Sequence, residues 1–193
     1  FGLPLRSAAG LEFVVRFERT TAAVFADKPY DLFSHRYVRP LRSAENHDGL
    51  FVMPTTESNR PRIGRDGTVF PAHRQDIGWL VRGTLDRSSV DFNSRAEWHE
   101  GPGFIEARLP WGLINVTDPS SRRVVFDHAG ATSGDVGTVV TEGIRVIAVQ
   151  YEEQANGRPR VENSVPEAVT GTVPLAPIFT WPTWDEPRYH SFR

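Results

Sequence analysis

The chain has 193 residues, of which 39% are hydrophobic and 24% charged, and its formal net charge is −2. This ordinary globular composition argues against a disordered or fibrous protein, and the near-neutral charge argues against a dedicated nucleic-acid binder. The absence of cysteine excludes disulfides and thiolate metal sites, and Lys28 is the single lysine. No apolar run approaches the roughly 18 residues that a membrane span requires.

The first part of the chain predicts short strands. Apolar residues alternate from Leu11 to Phe17, which places Phe13, Val15 and Phe17 on one face of a strand, and a second strand follows at Ala22–Ala26. Long helices are not expected, because 15 prolines and 16 glycines interrupt the chain.

Later segments continue the strand pattern. Alternation in Ile77–Leu85 turns Trp79 toward the core, and alternation in Gly103–Leu109 does the same for Ile105. A short strand is expected at Arg123–Phe126, and Gly143–Tyr151 is apolar on both faces, which is typical of a central strand. Many short strands separated by turn residues predict an all-β fold, a β-sandwich of jelly-roll type.

Two stretches do not fit the strand pattern. Residues 28–75 are rich in Pro, Arg, His and Asn, and a long irregular insertion of this kind predicts a functional or docking loop. Residues 177–193 form an aromatic tail interrupted by prolines. Since the chain begins with Phe1 and not Met, we expect residues 1–193 to be a single β-sandwich domain, a fragment of a larger protein.

Residues 104–114 read Phe-Ile-Glu-Ala-Arg-Leu-Pro-Trp-Gly-Leu-Ile. This stretch resembles the E-x-R-[IL]-P-W-x-x-L signature of family-9-like carbohydrate-binding modules and DOMON-like β-sandwiches, and the similarity covers about residues 75–151. The resemblance implies a sandwich fold and a place in a secreted or cell-surface bacterial protein.

The same stretch has a physical interpretation. Pro110 cannot donate to a strand ladder and ends the strand, after which Trp111 is expected to turn inward and close the end of the sandwich. Glu106 and Arg108 share one face and predict an ion pair, with each other or across strands. A catalytic carboxylate is the alternative interpretation of Glu106.

Glycan binding needs flat aromatic faces and polar groups for the hydroxyls. Trp98 lies in a polar, turn-rich stretch, and Trp181 and Trp184 lie in the tail, so these three are the candidate ligand platforms. The alternative for the two tail tryptophans is that they fasten the terminus to the domain.

The arginines of the insertion form a second candidate ligand site, made of Arg60, Arg62 and Arg65 with Arg74 nearby. Such a basic cluster predicts contact with an anionic polysaccharide or a phosphate, and its alternative is a solvated loop. Asp127 and Asp135 flank a glycine-rich loop and offer oxygen ligands for a structural calcium ion.

These patterns favour a non-catalytic carbohydrate-binding module whose partner is a polysaccharide. The alternative is a structural or protein-interaction domain that docks through residues 28–75 and the tail. A polysaccharide-acting enzyme is the third possibility, and it would need two convergent carboxylates, for instance Glu97 or Glu100 with Asp185 or Glu186.

Overall fold

The computed structural model describes residues 2–27, 30–31, 36–37, 50–126 and 137–184. Over these ranges the chain is all-β, with one 3-10 turn at Trp111–Ile114 and no α-helix. It divides into two compact units. Unit I holds residues 2–10, 116–126 and 137–184, and unit II holds the described part of residues 11–115.

The strands are short, and each pairs within a sheet of two or three strands. In chain order they are β1 (Arg6–Ser7), β2 (Phe13–Phe17), β3 (Ala22–Ala26), β4 (Tyr30–Asp31), β5 (Arg36–Tyr37), β6 (Thr55–Asn59), β7 (Arg62–Ile63), β8 (Val69–Phe70), β9 (His73–Asp76), β10 (Trp79–Leu80), β11 (Trp98–Gly101), β12 (Phe104–Ala107), β13 (Val116–Asp118), β14 (Arg123–Val125), β15 (Thr138–Val140), β16 (Ile144–Arg145), β17 (Ala148–Glu153), β18 (Pro159–Val165), β19 (Thr172–Val173) and β20 (Ile178–Phe179).

The core of unit II lies on one face of an antiparallel sheet of β10, β3 and β2, in that order. The predictions for β2 and β3 are confirmed, since β2 forms within the alternating segment and β3 spans the predicted Ala22–Ala26 strand. The residues that this face contributes to the core are Phe13, Val15, Phe17, Ala22, Val24 and Leu80.

Trp98, the first residue of β11, closes this core. Its backbone N–H donates to the Val81 carbonyl at 3.1 Å, and its carbonyl accepts from the Gly83 N–H at 3.0 Å. These bonds hold β11 beside the chain that follows β10. The indole is 2% exposed, its ring lies 6.0 Å from that of Phe17, and the Arg82 guanidinium lies 5.4 Å from its centroid.

A two-stranded ribbon, residues 55–76, departs from the sequence expectation of an irregular loop. β6 pairs with β9 at its base, and β7 pairs with β8 toward the turn. The pairs Asn59↔His73 and Arg62↔Phe70 lie in the same register, so the two hairpin segments are one continuous structure. We call residues 55–76 the arginine ribbon.

The ladder of the arginine ribbon is interrupted where Pro61 lies opposite Pro71 in that register. Neither residue has a backbone N–H, so no ladder bond can form there. From residue 58 to residue 76 every residue except Gly64 and Ala72 is exposed. A two-stranded ribbon buries little surface of its own, so its side chains remain available for contact.

Unit I consists of four small sheets. β13, β14 and β15 form an antiparallel sheet, β16 pairs with β20, and β17 pairs with β18 in the longest hairpin. β1 and β19 pair in parallel. The buried apolar side chains of this unit include Val116, Val125 and Val173.

The predicted orientation of Ile77–Leu85 is wrong. Only Trp79 and Leu80 pair in the sheet, and Leu80 is the buried one because it lies opposite Ala22 on the core face. Trp79 therefore points to the other face and is 55% exposed. Both faces of this segment carry apolar residues, so alternation alone does not determine which face is buried. The pairing with β3 determines that Leu80, and not Trp79, faces the core.

The resembling segment also differs from its predicted packing. β12 forms, but Ile105 is exposed, so its predicted inward orientation is wrong, and the residues of this segment that pack against the core are Leu109 and Leu113. Trp111 is partly exposed rather than closing a sandwich end. Among the described residues, neither Glu106 nor Arg108 forms the predicted ion pair.

Gly143–Tyr151 is not one central strand. The segment divides into β16 and β17, which pair in different two-stranded sheets, and Val146 between them is exposed. An apolar run therefore marked strands here without indicating their position in a sheet.

The burial of Trp98 makes it the most sensitive aromatic position of unit II. We expect Trp98→Ala to lower the free energy of unfolding by about 3–5 kcal/mol, because it leaves a cavity in the core. Trp98→Phe should cost less than half as much, since the buried indole N–H has no acceptor among the described residues and no hydrogen bond is lost. Urea unfolding followed by circular dichroism measures both.

The exposed Trp184 of unit I is the matched control, and Trp184→Ala should unfold at nearly the wild-type urea concentration. Equal midpoints for Trp98→Ala and Trp184→Ala would contradict the placement of Trp98 in the core.

Candidate functional site

The structure separates the three tryptophans that the sequence proposed as ligand platforms. Trp98 is enclosed in the core of unit II, Trp181 is buried in unit I, and Trp184 is 49% exposed. Trp79, which the sequence placed in the core, is the most exposed tryptophan of the described chain. The exposure of Trp79 could have been predicted from the neighbouring Leu80. Adjacent residues of a strand point to opposite faces, so a buried Leu80 requires an outward Trp79.

Trp79 lies on the outer face of the β10–β3–β2 sheet. The register pairs it with Ala23 of β3, and Ala23 pairs in turn with Arg16 of β2. The three residues thus form a row across the sheet, with a methyl group between an indole and a guanidinium. Two strand spacings separate the ends of this row, about 10 Å between the Cα atoms.

Arg16 is held in place by an acidic neighbour. Its guanidinium Nη2 lies 2.8 Å from the Glu18 carboxylate, which is half exposed. The outer face therefore combines a flat aromatic surface with a positioned donor and a positioned acceptor. An ion pair on the surface contributes little to the free energy of folding. The Arg16–Glu18 pair is therefore of interest as a pair of polar groups available to a ligand.

The arginine ribbon carries the predicted basic cluster. Arg60 and Arg62 precede the turn and Arg65 lies within it, and all three are exposed. Among the described residues, no carboxylate lies within ion-pair distance of these three arginines. Asp66, the one acid of the turn, accepts the Thr68 N–H at 3.0 Å, and this hydrogen bond holds the pKa of Asp66 below its ordinary value.

The tail of unit I is fastened at the turn that follows β13. The indole N–H of Trp181 donates to the Pro119 carbonyl at 2.7 Å, and the Trp184 backbone N–H donates to the Ser120 carbonyl at 3.1 Å. The Phe179 ring stacks on that of Trp181 at 6.5 Å. Trp181 thus fastens the tail, as the alternative interpretation expected, whereas the Trp184 ring stays half open.

Asp118 orders this turn. Its carboxylate accepts the Ser120 hydroxyl at 2.6 Å and the Ser120 backbone N–H at 3.0 Å, and it also accepts the Ser121 hydroxyl. The Ser120 hydroxyl, followed by that of Ser121, lowers the pKa of Asp118 below its ordinary value. The ionised carboxylate is therefore the form that the folded turn stabilises.

The carboxylates considered for catalysis do not meet in the described structure. Glu97 accepts the Val81 backbone N–H at 2.9 Å, which gives it a structural partner, and the Glu100 carboxylate lies 3.9 Å from Arg82. Asp185 and Glu186 lie outside the described residues, as do the calcium candidates Asp127 and Asp135. Over the described ranges no group of three His, Asp or Glu side chains could hold a metal ion.

Comparison with known proteins returned no family model, no curated protein and no solved structure that matches this chain. The resemblance of residues 104–114 to carbohydrate-binding modules therefore stays a prediction. Within the described part of the chain, none of the helical structure is long and apolar enough to cross a membrane.

We expect Asp118→Ala to release the tail, because the turn that presents the Pro119 and Ser120 carbonyls loses the acceptor of its internal bonds. Hydrogen exchange at the Trp184 amide and the Trp181 indole should accelerate several-fold.

The wild type should show the same acceleration of hydrogen exchange in acid. Since the pKa of Asp118 is lowered in the folded chain, its contribution is complete above the ordinary value near 3.8 and is lost as pH falls through the lower folded pKa.

Asp86→Ala is the matched control. Asp86 accepts the backbone N–H and the hydroxyl of Ser88 in a similar turn of unit II, and its pKa is lowered by the same kind of bonds. Its hydrogen bonds are to Ser88 of unit II, so tail exchange should stay at the wild-type rate. Equal acceleration in both variants would contradict a local role for Asp118.

Proposed function

We propose that this chain is a non-catalytic carbohydrate-binding module of β-sandwich type, part of a secreted or cell-surface bacterial protein. The observation that carries the proposal is the row on the outer face of unit II, where the half-exposed Trp79 lies across Ala23 from Arg16. The all-β architecture and the signature-like stretch at residues 104–114 support it further.

The row supplies the two kinds of contact that a sugar ring requires. The indole of Trp79 offers a flat apolar face against which the C–H side of a pyranose can stack. Arg16 can donate hydrogen bonds to ring hydroxyls, and the Glu18 carboxylate can accept them. The Ala23 methyl between them is small and only 3% exposed, so the Trp79 indole and the Arg16–Glu18 pair form the contact surface of the row. Binding of this kind needs no covalent step.

Trp184 offers a second aromatic face, in unit I. The tail is fastened through Trp181 and the Trp184 backbone, so the exposed ring is attached to an ordered segment. Holding an aromatic ring in position before binding lowers the entropy that the complex must lose. We treat Trp184 as an additional platform whose contribution a single substitution can measure.

A protein-interaction domain is the alternative function, and one face of the arginine ribbon favours it. Ile63 lies opposite Val69, and the same alternation places Pro61 and Pro71 beside them. Ile63 is 76% exposed and Val69 is 66% exposed. Exposed apolar side chains that adjoin one another are typical of contact surfaces.

Sedimentation velocity of Ile63→Ser against wild type tests this function. A protein-interaction domain requires the wild type to form a complex that depends on concentration, and the substitution should abolish that complex.

The central test of the carbohydrate-binding proposal is Trp79→Ala. We expect binding to the best ligand of an oligosaccharide array to weaken about 30-fold, the loss typical of truncating a central aromatic contact, near 2 kcal/mol. Trp79→Phe should retain part of the affinity because it keeps an aromatic face. Isothermal titration calorimetry measures both, and circular dichroism checks that the outward-facing substitution leaves the fold intact.

Trp184→Ala tests the additional platform in parallel, since it removes a similarly exposed indole from the other unit. Loss of affinity in Trp184→Ala alone would show that the aromatic binding surface lies in unit I. Unchanged affinity in both variants would contradict binding by aromatic stacking on either tryptophan.

A further inference from the structure

The arginine ribbon has two chemically different faces. Opposite residues of an antiparallel pair place their side chains on the same face, so Arg62 and Phe70 share one face. Since the register is continuous with the Asn59↔His73 pair, Arg60 joins them two residues before Arg62. This basic aromatic face lies opposite the apolar face that carries Ile63.

The Phe70 ring reaches toward Gly64 at the start of the turn. A Cβ atom at Gly64 would lie 3.5 Å from Phe70 Cε2, an ordinary van der Waals contact, and 2.6 Å from the Asp66 carboxylate. The glycine therefore leaves room for the Asp66 carboxylate, and the Phe70 ring packs beside it. The ring stays 53% exposed beside Arg62, and the Asp66 carboxylate is engaged with the Thr68 N–H.

From this face we infer that the arginine ribbon binds an acidic polysaccharide, with Arg60 and Arg62 contacting the carboxylate or sulfate groups and Phe70 contacting a sugar ring. The inference rests on the proposed carbohydrate-binding function and specifies the charge of the ligand. Guanidinium groups bind carboxylate and sulfate oxygens through two parallel hydrogen bonds, and no acid of the described chain pairs with these arginines.

The basic aromatic face of the ribbon is narrow, since its two strands lie about 5 Å apart. A narrow face suits a single linear chain laid along it. Arg60 and Arg62 are two residues apart, about 7 Å along the strand, so a polymer with regularly spaced acidic groups can engage both.

The test uses the full chain and three probes in calorimetry. Polygalacturonate carries carboxylates, heparin carries sulfates and carboxylates, and dextran is neutral. We expect polygalacturonate or heparin to bind, and the double variant Arg60→Gln with Arg62→Gln to weaken that binding about tenfold for each arginine. Phe70→Ala should weaken it as well, and added salt should reduce the difference between wild type and the double variant.

Arg87→Gln with Arg95→Gln is the matched control, because it removes the same charge from exposed positions of unit II outside the ribbon. An equal loss of affinity in this control would overturn the inference in favour of unspecific charge attraction. Equal binding to phosphatidylglycerol vesicles, with the same dependence on Arg60 and Arg62, would overturn it in favour of a lipid surface.

The two proposals fail in different ways. Binding of neutral oligosaccharides that depends on Trp79, without any effect of the ribbon substitutions on the acidic probes, would overturn the ribbon inference and leave the proposed function standing. Absence of binding to every neutral and acidic glycan would overturn both. Acidic-glycan binding that depends on the ribbon but not on Trp79 would support the inference and reject the Trp79 platform.

Discussion

The packing of the Trp98 indole against one face of the β10–β3–β2 sheet determines the surface of unit II. Side chains alternate across a strand, so a strand that turns one residue toward Trp98 must turn its neighbour away. In β10 the inward residue is Leu80, and Trp79 is consequently outward. The proposed binding surface is thus a consequence of the core, because a shift of one residue in this strand would bury Trp79 and expose Leu80.

Unit I depends on a different kind of interaction, a polar turn. The Asp118 carboxylate organises the hydroxyl and amide groups of Ser120, and the ordered turn presents carbonyls to Trp181 and to the Trp184 backbone. A partly exposed aspartate such as Asp118 contributes through geometry more than through charge, since solvent screens its charge. The tail is therefore fixed by hydrogen bonds of defined direction, and this leaves the Trp184 ring open to contact.

The sequence predicted strands that are marked by apolar patterns, but it did not predict orientations that depend on which strands pair. β2 was found because Phe13, Val15 and Phe17 occupy one phase, and β3 because it is a short apolar run. The segment around Trp79 is apolar in both phases, and its orientation depends on the pairing of Leu80 with Ala22. The strands β6 and β9 carry polar residues in both phases, so no apolar periodicity marked them. The basic cluster was visible in the sequence, but only the register places Phe70 opposite Arg62.

Gly78 connects the two features proposed to bind ligand. Its carbonyl accepts the Val24 N–H at 2.8 Å, and a Cβ atom at this position would lie 2.5 Å from the Val24 carbonyl oxygen and 2.8 Å from Met53 Cγ. Only glycine allows this approach, which sets Trp79 in register with Ala23 directly after the arginine ribbon ends. A larger residue would push the chain from β3 and lose that register. The close contact between Gly78 and Val24 therefore fixes the position of Trp79 on the core sheet, and the sequence of the arginine ribbon can change without moving Trp79.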